Sequence, residues 1–391
     1  MLRKLFQKTP LAWFQVKREK MRLAVALAGI AFADVLIFVQ LGLKDSLYDS
    51  VEQPYYKLDG ELFIIDPLFA GFNTFNSFSR ERLYQAARLN EIATVSALYI
   101  ARGQWRNLKT NLNRNVLIFG VDPDRPIFTL PGVTQQANQL TILGRVLYDR
   151  IGRDDLFGDV NKVLEQSDGQ PLAVQVNDRQ VQIVGRFRLG ASFVADSNLI
   201  GSDQTFLKLF PERSANQIDI GVIKLMPEAD VSTVQAALKA VLPDDILVLT
   251  QAELADRERT VWEIESPIGF IFGFGTIIGF IVGIVIVYQV LYADVADHLS
   301  EYATLKAMGY SDRYLTGVLI QESLILATLG FIPGFWLSVG LYSIASSAIL
   351  LPIAMTVNRA ILVFLLTYIM CLTSGMVTLR KLQTADPADV F

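Results

Sequence analysis

The chain has 391 residues, a hydrophobic share of 52% and a mean hydropathy of +0.36, which is more apolar than a soluble domain, while a net charge of −4 argues against a nucleic-acid partner. One cysteine, Cys371, and one histidine, His298, leave no disulfide framework. His298 reads as a polar loop residue with no partner cysteine or second histidine, so neither a zinc site nor a Ser/His/Asp arrangement has its parts.

Residues 1–20 form a basic, amphipathic entry segment in which Trp13, Phe14 and Val16 suit a lipid interface and Lys17, Arg18 and Lys20 suit anionic headgroups. Residues 21–43 are apolar except for Arg22, Asp34 and Gln40, long enough to span a bilayer, and read as a retained anchor, not a cleaved signal. Asp34 is an intramembrane carboxylate, either functional or held against a buried donor.

Residues 44–265 change character. Strand-like runs at 61–66, 94–100, 115–121, 218–225 and 246–250, a hairpin at 172–184 turning on Asn177-Asp178, and helical patterns at 79–89 and 232–242, capped by Ser79 and Ser232, predict a mixed α+β domain. Two lobes fit it, with residues 125–147 and 149–170 inserted into the first. Residues 252–265 read as a helical stalk, bent at Ser266-Pro267.

A second span is expected at 268–291, where Gly275, Gly279 and Gly283 line one face and permit close approach of another helix, from the same subunit or from a second one. A third span at 316–350 is expected to kink at a Pro333-Gly334 break and leave irregularly, and a fourth covers 357–379 before Arg380-Lys381. Basic residues at both ends put both termini in the cytoplasm. The large domain then lies outside, and residues 292–315 and the tail at 380–391 lie inside. The expected fold class is therefore a membrane protein with four transmembrane α-helices and a large α+β extracytoplasmic domain between the first and second.

The inner loop is the most informative stretch. Glu301, Leu305 and Met308 share one helical face, Tyr302 and Lys306 a neighbouring one, Gly309 supplies a left-handed stop, and Ser311 stands ready to cap the next span. No G-x-x-x-x-G-K-[ST] occurs, and the paired acidic residues Asp154-Asp155 and Asp244-Asp245 suit solvated turns, so neither a nucleotide cradle nor catalytic chemistry is expected in this chain.

The run from Glu301 to Tyr310 resembles the coupling segment of the FtsX-like, MacB-type ABC permeases, and the closing Asp386-Pro-Ala-Asp-Val-Phe391 resembles that family's tail. Residues 11–23 and Gly330-Phe-Ile-Pro-Gly334 are similar to the DevC-type exporter permeases of cyanobacteria. The resemblance implies a non-catalytic subunit in a bacterial inner membrane, working as a homodimer. A separate cytoplasmic ATPase, which holds ATP and Mg, would drive it through Glu301, Tyr302, Leu305, Lys306, Met308 and Gly309. It further implies a periplasmic adaptor, an outer-membrane TolC-like duct and a glycolipid-like cargo. The sequence does not identify the adaptor-contacting residues, for which the loops around 132–139 or 161–169 are the candidates. Two alternatives are an FtsX-type lever acting on cell-wall hydrolases, disfavoured by the size of the outer domain, and a lipoprotein-extracting permease.

Overall fold

The structure is a computed structural model that describes residues 20–384 apart from positions 108, 168 and 352. The amphipathic entry segment before Lys20 and the closing tail from Ala385 lie outside the described residues. Two compact units partition the chain, a helical one (residues 1–45, 268–348 and 353–391) and an α+β one (residues 46–267 and 349–352).

Helix α1 (Lys20–Glu52) leads into the α+β unit. Its elements are β1 (Leu62–Ile65), β2 (Phe78–Ser79), α2 (Glu81–Ala86), β3 (Ile92–Arg106), β4 (Asn113–Val121), α3 (Pro131–Gln136), β5 (Arg145–Asp149), α4 (Val160–Gln166), β6 (Leu172–Val176), β7 (Arg179–Phe187), β8 (Ser197–Ser202), α5 (Asp203–Leu209), β9 (Gln217–Ile218), β10 (Ile220–Leu225), α6 (Val231–Val241), β11 (Leu247–Thr250) and α7 (Gln251–Thr260). Nine strands join in the order β11-β1-β10-β3-β4-β8-β5-β7-β6. A bridge between Trp105 and Val176 returns β6 to β3, so the last six strands close on themselves and leave no open edge there.

The 15-residue β3 is what unites the domain. Its first half pairs antiparallel with β10 and its second half with β4, so one strand serves a four-stranded sheet and the closed six-stranded one. The inserted lobe therefore comprises β4 to β8, more than the two segments expected from sequence. Trp105 fills its centre, 5.7 Å from the Tyr148 ring and 5.4 Å from Phe157, edge-on to the latter. β5 and β8 were missed because Arg145–Asp149 and Ser197–Ser202 are short and lack apolar alternation. The hairpin turns on Asn177 and Asp178, both at positive φ, which asparagine and aspartate tolerate better than other side-chain residues.

Two caps differ from expectation. α2 begins after Arg80, although Ser79 Oγ accepts from the Glu81 N–H. α6 is capped by Asp230, whose carboxylate takes the Thr233 N–H and the Ser232 hydroxyl, because a carboxylate outcompetes the serine as an acceptor. The stalk is interrupted as well. α7 passes into a π-helical turn at Val261–Glu265, and Ser266 is extended with φ −99° and ψ 149°. Pro267 then starts a new helix.

In the helical unit, α8 (Pro267–Asp297), α9 (Leu299–Ala307), α10 (Asp312–Ile349) and α11 (Val357–Thr384) follow. With α1, the helices α8, α10 and α11 are long and apolar enough to cross a membrane. The protein is a membrane protein with, among the described residues, four such helices and a large α+β domain between the first and second. α10 runs through Pro333-Gly334 as one helix, with the proline inside it. Phe331 and Phe335 on either side pack against Phe38 of α1, and such neighbours hold a proline-containing helix together. The irregular exit falls at Leu350, with φ +52°.

Candidate functional site

Helix α9 is a short helix set between two long ones. A single residue, His298, separates it from α8. Its end is a Schellman closure, in which the Tyr310 N–H reaches the Leu305 carbonyl at 3.1 Å and the Gly309 N–H reaches the Lys306 carbonyl at 3.0 Å. Gly309 has φ +90°, and a side chain there would meet open space, so the backbone conformation alone selects glycine.

The six candidate coupling residues divide by burial. Glu301, Met308 and Gly309 are exposed, Met308 at 65%. Leu305 and Lys306 are half-buried, and Leu305 packs on the helical core. Tyr302 is 3% exposed and belongs to that core, so it braces α9 and does not present a face to a partner. Ser311 directly precedes α10, its carbonyl accepting from the Tyr314 N–H at 2.8 Å. Tyr310, also exposed, sets its ring against Tyr314 at 4.9 Å in a tilted pair.

His298 is buried, which corrects its reading as a polar loop residue. Its Nδ1 lies 3.0 Å from the Asp294 carbonyl and 3.6 Å from Asp294 Oδ1. Asp294 Oδ1 also pairs with Arg22 of α1 at 3.3 Å, and Arg22 makes a second, very close pair with Asp297. Glu322 of α10, 3% exposed, is close enough to Asp294 for the two carboxyl groups to interact, each an acceptor unless one carries a proton. Sequence reading used Arg22 only as an orientation charge and passed over Asp294 and Glu322. The available signal was the presence of charged residues inside the helical ends of apolar runs.

The glycine face of α8 is filled from within the subunit. A side chain at Gly283 would strike Met370 of α11 and sit 2.9 Å from Ala33 of α1, and one at Gly279 would be 3.2 Å from Ile37. Gly275 faces the Gln40 side chain at 2.6 Å by the same construction. These glycines seat α1 on α8. The face of α8 left uncovered in the subunit instead carries Phe270, Phe274, Ile277, Ile281 and Val285.

Asp34 is fully buried and accepts the Thr367 hydroxyl at 2.6 Å through Oδ1, while Oδ2 has no donor among the described residues. It sits against Gly334, where a side chain would lie 2.9 Å from Asp34 Cβ, so that glycine makes room for the carboxylate. Near the opposite ends of these helices from the Asp294 cluster, Arg359 of α11 joins Asp45 at 2.6 Å, the Ala354 carbonyl at 2.8 Å and the face of Tyr342 at 5.5 Å.

In the α+β unit, α7 is held by Glu258. Its carboxylate accepts the Tyr55 hydroxyl at 2.6 Å, the Trp262 indole N–H at 2.8 Å and the Phe72 N–H at 3.1 Å. Burial pushes its pKa up to about 7, against the lowering effect of these donors. Gln251 binds the Tyr55 and Leu58 carbonyls at 3.1 Å each, and Arg257 binds those of Phe69 and Pro67. Gly71 allows the carboxylate in, since any side chain there would collide with it. The segments around 132–139 and 161–169 come together across a groove of about 510 Å³, lined in part by Gly132, Gln136, Leu164, Arg150, Arg186 and Arg188.

Residues 271–387 match the model of the FtsX-like permease C-terminal family, a stretch that contains most of α8 and all of α9, α10 and α11. No curated protein sequence matches the chain. Among solved structures, the chain is similar to the periplasmic region of MacB from Actinobacillus actinomycetemcomitans (12% identity, 51% of this chain and 94% of that one, TM-score 0.35). It is also similar to the extracellular domain of the noncanonic ABC-type transporter YknZ from Gram-positive bacteria (14%, 49% and 99%, TM-score 0.33). A third likeness is to a domain of a putative permease protein from Porphyromonas gingivalis (11%, 50% and 88%, TM-score 0.29).

Proposed function

We propose that this chain is the membrane subunit of a MacB-type ABC exporter, and that a separate cytoplasmic ATPase pushes it through α9. The observation that carries the reading is an exposed, glycine-terminated helix joined by one residue to an apolar span, within a segment that matches the FtsX-like permease C-terminal family. Glu301, Met308 and Gly309 offer the ATPase an acidic, an apolar and a close-approach contact, while Tyr302 and Leu305 root the helix. ATP and Mg belong to the partner, and this chain contributes movement.

Two copies work together in a bacterial inner membrane. Because the Gly275/Gly279/Gly283 face is filled by the chain's own α1, the second copy meets another surface, for which the Phe270 to Val285 stripe of α8 is the apolar candidate. Outside, the groove between residues 132–139 and 161–169 receives a periplasmic adaptor leading to an outer-membrane duct. The cargo class that fits the DevC-type resemblance is a glycolipid-like amphiphile.

The test is hydrolysis and export by the reconstituted assembly with Glu301→Lys or Gly309→Pro. Both variants are expected to insert normally while ATP hydrolysis no longer drives export. Normal export from either variant would contradict the assignment of α9.

A further inference from the structure

The coupling reading leaves open how movement of α9 reaches the spans. α9 follows α8 after one residue, and that residue is itself buried. His298 donates its backbone N–H to the Asp294 carbonyl at 3.1 Å, its ring nitrogen lies 3.0 Å from the same oxygen, and its own carbonyl accepts the Tyr302 N–H at 3.0 Å. The turn therefore has little slack, and displacement of α9 is delivered to Asp294.

Around Asp294, three helices meet through charge. Arg22 comes from α1, Asp294 and Asp297 from α8, and Glu322 from α10. The cluster sets one guanidinium and one imidazole against three carboxylates. Arg22 pairs with both Asp294 and Asp297. Asp294 Oδ2 and Glu322 Oε2 are both buried, and no N–H or hydroxyl group among the described residues donates to either, which leaves a proton shared between the two carboxyl groups as the bond open to them. Donor-poor carboxylates that compete for one guanidinium have more than one way to pair, and coupling between distant sites needs an element with two arrangements. Buried charge makes the choice between arrangements sharp, because an ion left without its partner is heavily penalised.

We propose that the Arg22–Asp294–His298–Glu322 cluster is the joint that transmits displacement of α9 to α1, α8 and α10, by re-pairing Arg22 and the Asp294–Glu322 couple as α9 moves. The inference rests on the reading of α9 as the helix pushed by the ATPase. These are positioning residues, since none of them touches nucleotide or cargo.

The experiment uses the full chain in lipid nanodiscs with its ATPase bound, comparing the nucleotide-free state with the ADP-vanadate state. The single native cysteine, Cys371, is buried, so introduced cysteines label selectively. One spin-label pair joins Met308→Cys on α9 to Val25→Cys on α1. A second pair, Ile344→Cys with Val357→Cys, reports the far ends of α10 and α11. All four positions are exposed.

Without further change, both distances are expected to shift with nucleotide. With Glu322→Gln added, or His298→Gln as a second and milder variant, the α9 shift persists and the far shift falls by at least half. Exchange of the charged pair, Arg22→Asp with Asp294→Arg, is expected to recover a far shift that Arg22→Asp alone abolishes. Persistence of both shifts in Glu322→Gln and His298→Gln would overturn the proposal, as would loss of both shifts with the ATPase still bound. Failure of the unmodified chain to capture an ATPase is a separate result that removes the coupling reading and, with it, this inference.

Discussion

The two units differ in how their most deeply buried carboxylates are satisfied. In the α+β unit three are surrounded by donors: Glu258 by Tyr55, Phe72 and Trp262, Asp219 by the Ile100 N–H and Arg213, and Asp149 by the Ile151, Leu189 and Gly190 N–H groups and Asn198, while Glu52, at its margin, has Arg259 at 3.6 Å and an Oε1 without a hydrogen bond among the described residues. In the helical unit Asp34, Asp294 and Glu322 each retain an oxygen without a donor among the described residues. A saturated buried acid fixes one backbone arrangement. An unsaturated one is penalised where it stands and gains from rearrangement. The contrast teaches that a donor-saturated carboxylate holds its surroundings in one arrangement in the α+β unit, whereas the carboxylates of the membrane helices leave more than one pairing open.

The largest effect expected from this contrast is at Glu258. Glu258→Ala strands the Tyr55 hydroxyl, the Trp262 indole N–H and the Phe72 N–H in a buried site, and is expected to destabilise the domain by about 4 kcal/mol. Chemical unfolding of the full chain followed by tryptophan fluorescence measures it, and a change under about 1 kcal/mol would break the comparison.

The next effect is a pH slope. Burial raises the folded Glu258 carboxyl to about 7 from the ordinary 4.5, so the folded state holds its proton more tightly than the unfolded chain does. The contribution is fully present below about pH 4.5 and is lost as pH rises through about 7, a span of about 3 kcal/mol. Unfolding midpoints at pH 5, 6 and 7.5 should fall in that order, and Glu258→Gln should flatten the series.

Gly283→Leu tests packing on the membrane side. With Met370 and Ala33 against the glycine, the added side chain has no room, and a loss of about 2 kcal/mol in detergent thermal stability is expected. Equal stability with loss of dimer would instead give that face to a second copy. The smallest effect is at Asp34→Asn, which keeps the shape and the bond from Thr367 while removing a charge that has one donor. It is expected to change stability by less than about 1 kcal/mol, in contrast to Glu258→Ala.

Much of the plan could be read from residues alone. The four apolar runs, the turn at Asn177-Asp178 and the stop at Gly309 each follow from local chemistry, and the structure places a helix or turn at each. What escaped was non-local. The closure of β6 on β3 depends on the bridge between Trp105 and Val176, far apart in the chain, and Glu258 gained its meaning only when Tyr55 and Phe72 were brought to it. Tyr302 and Met308 lie on helical faces of similar character in the sequence, yet one is buried and the other open, because the neighbouring helices decide which face is covered. The same holds for the glycine face of α8, whose periodicity announces a close contact without saying whose.

The central claim is that a separate ATPase grips this chain at α9, and the most direct measurement is capture of that ATPase from native membranes by the tagged full-length chain, beside a Met308→Asp variant. The account predicts a stoichiometric ATPase with the unmodified chain and at least a tenfold loss with the variant, whose membrane insertion is unchanged. Equal capture by both chains, or no ATPase with either, would contradict it.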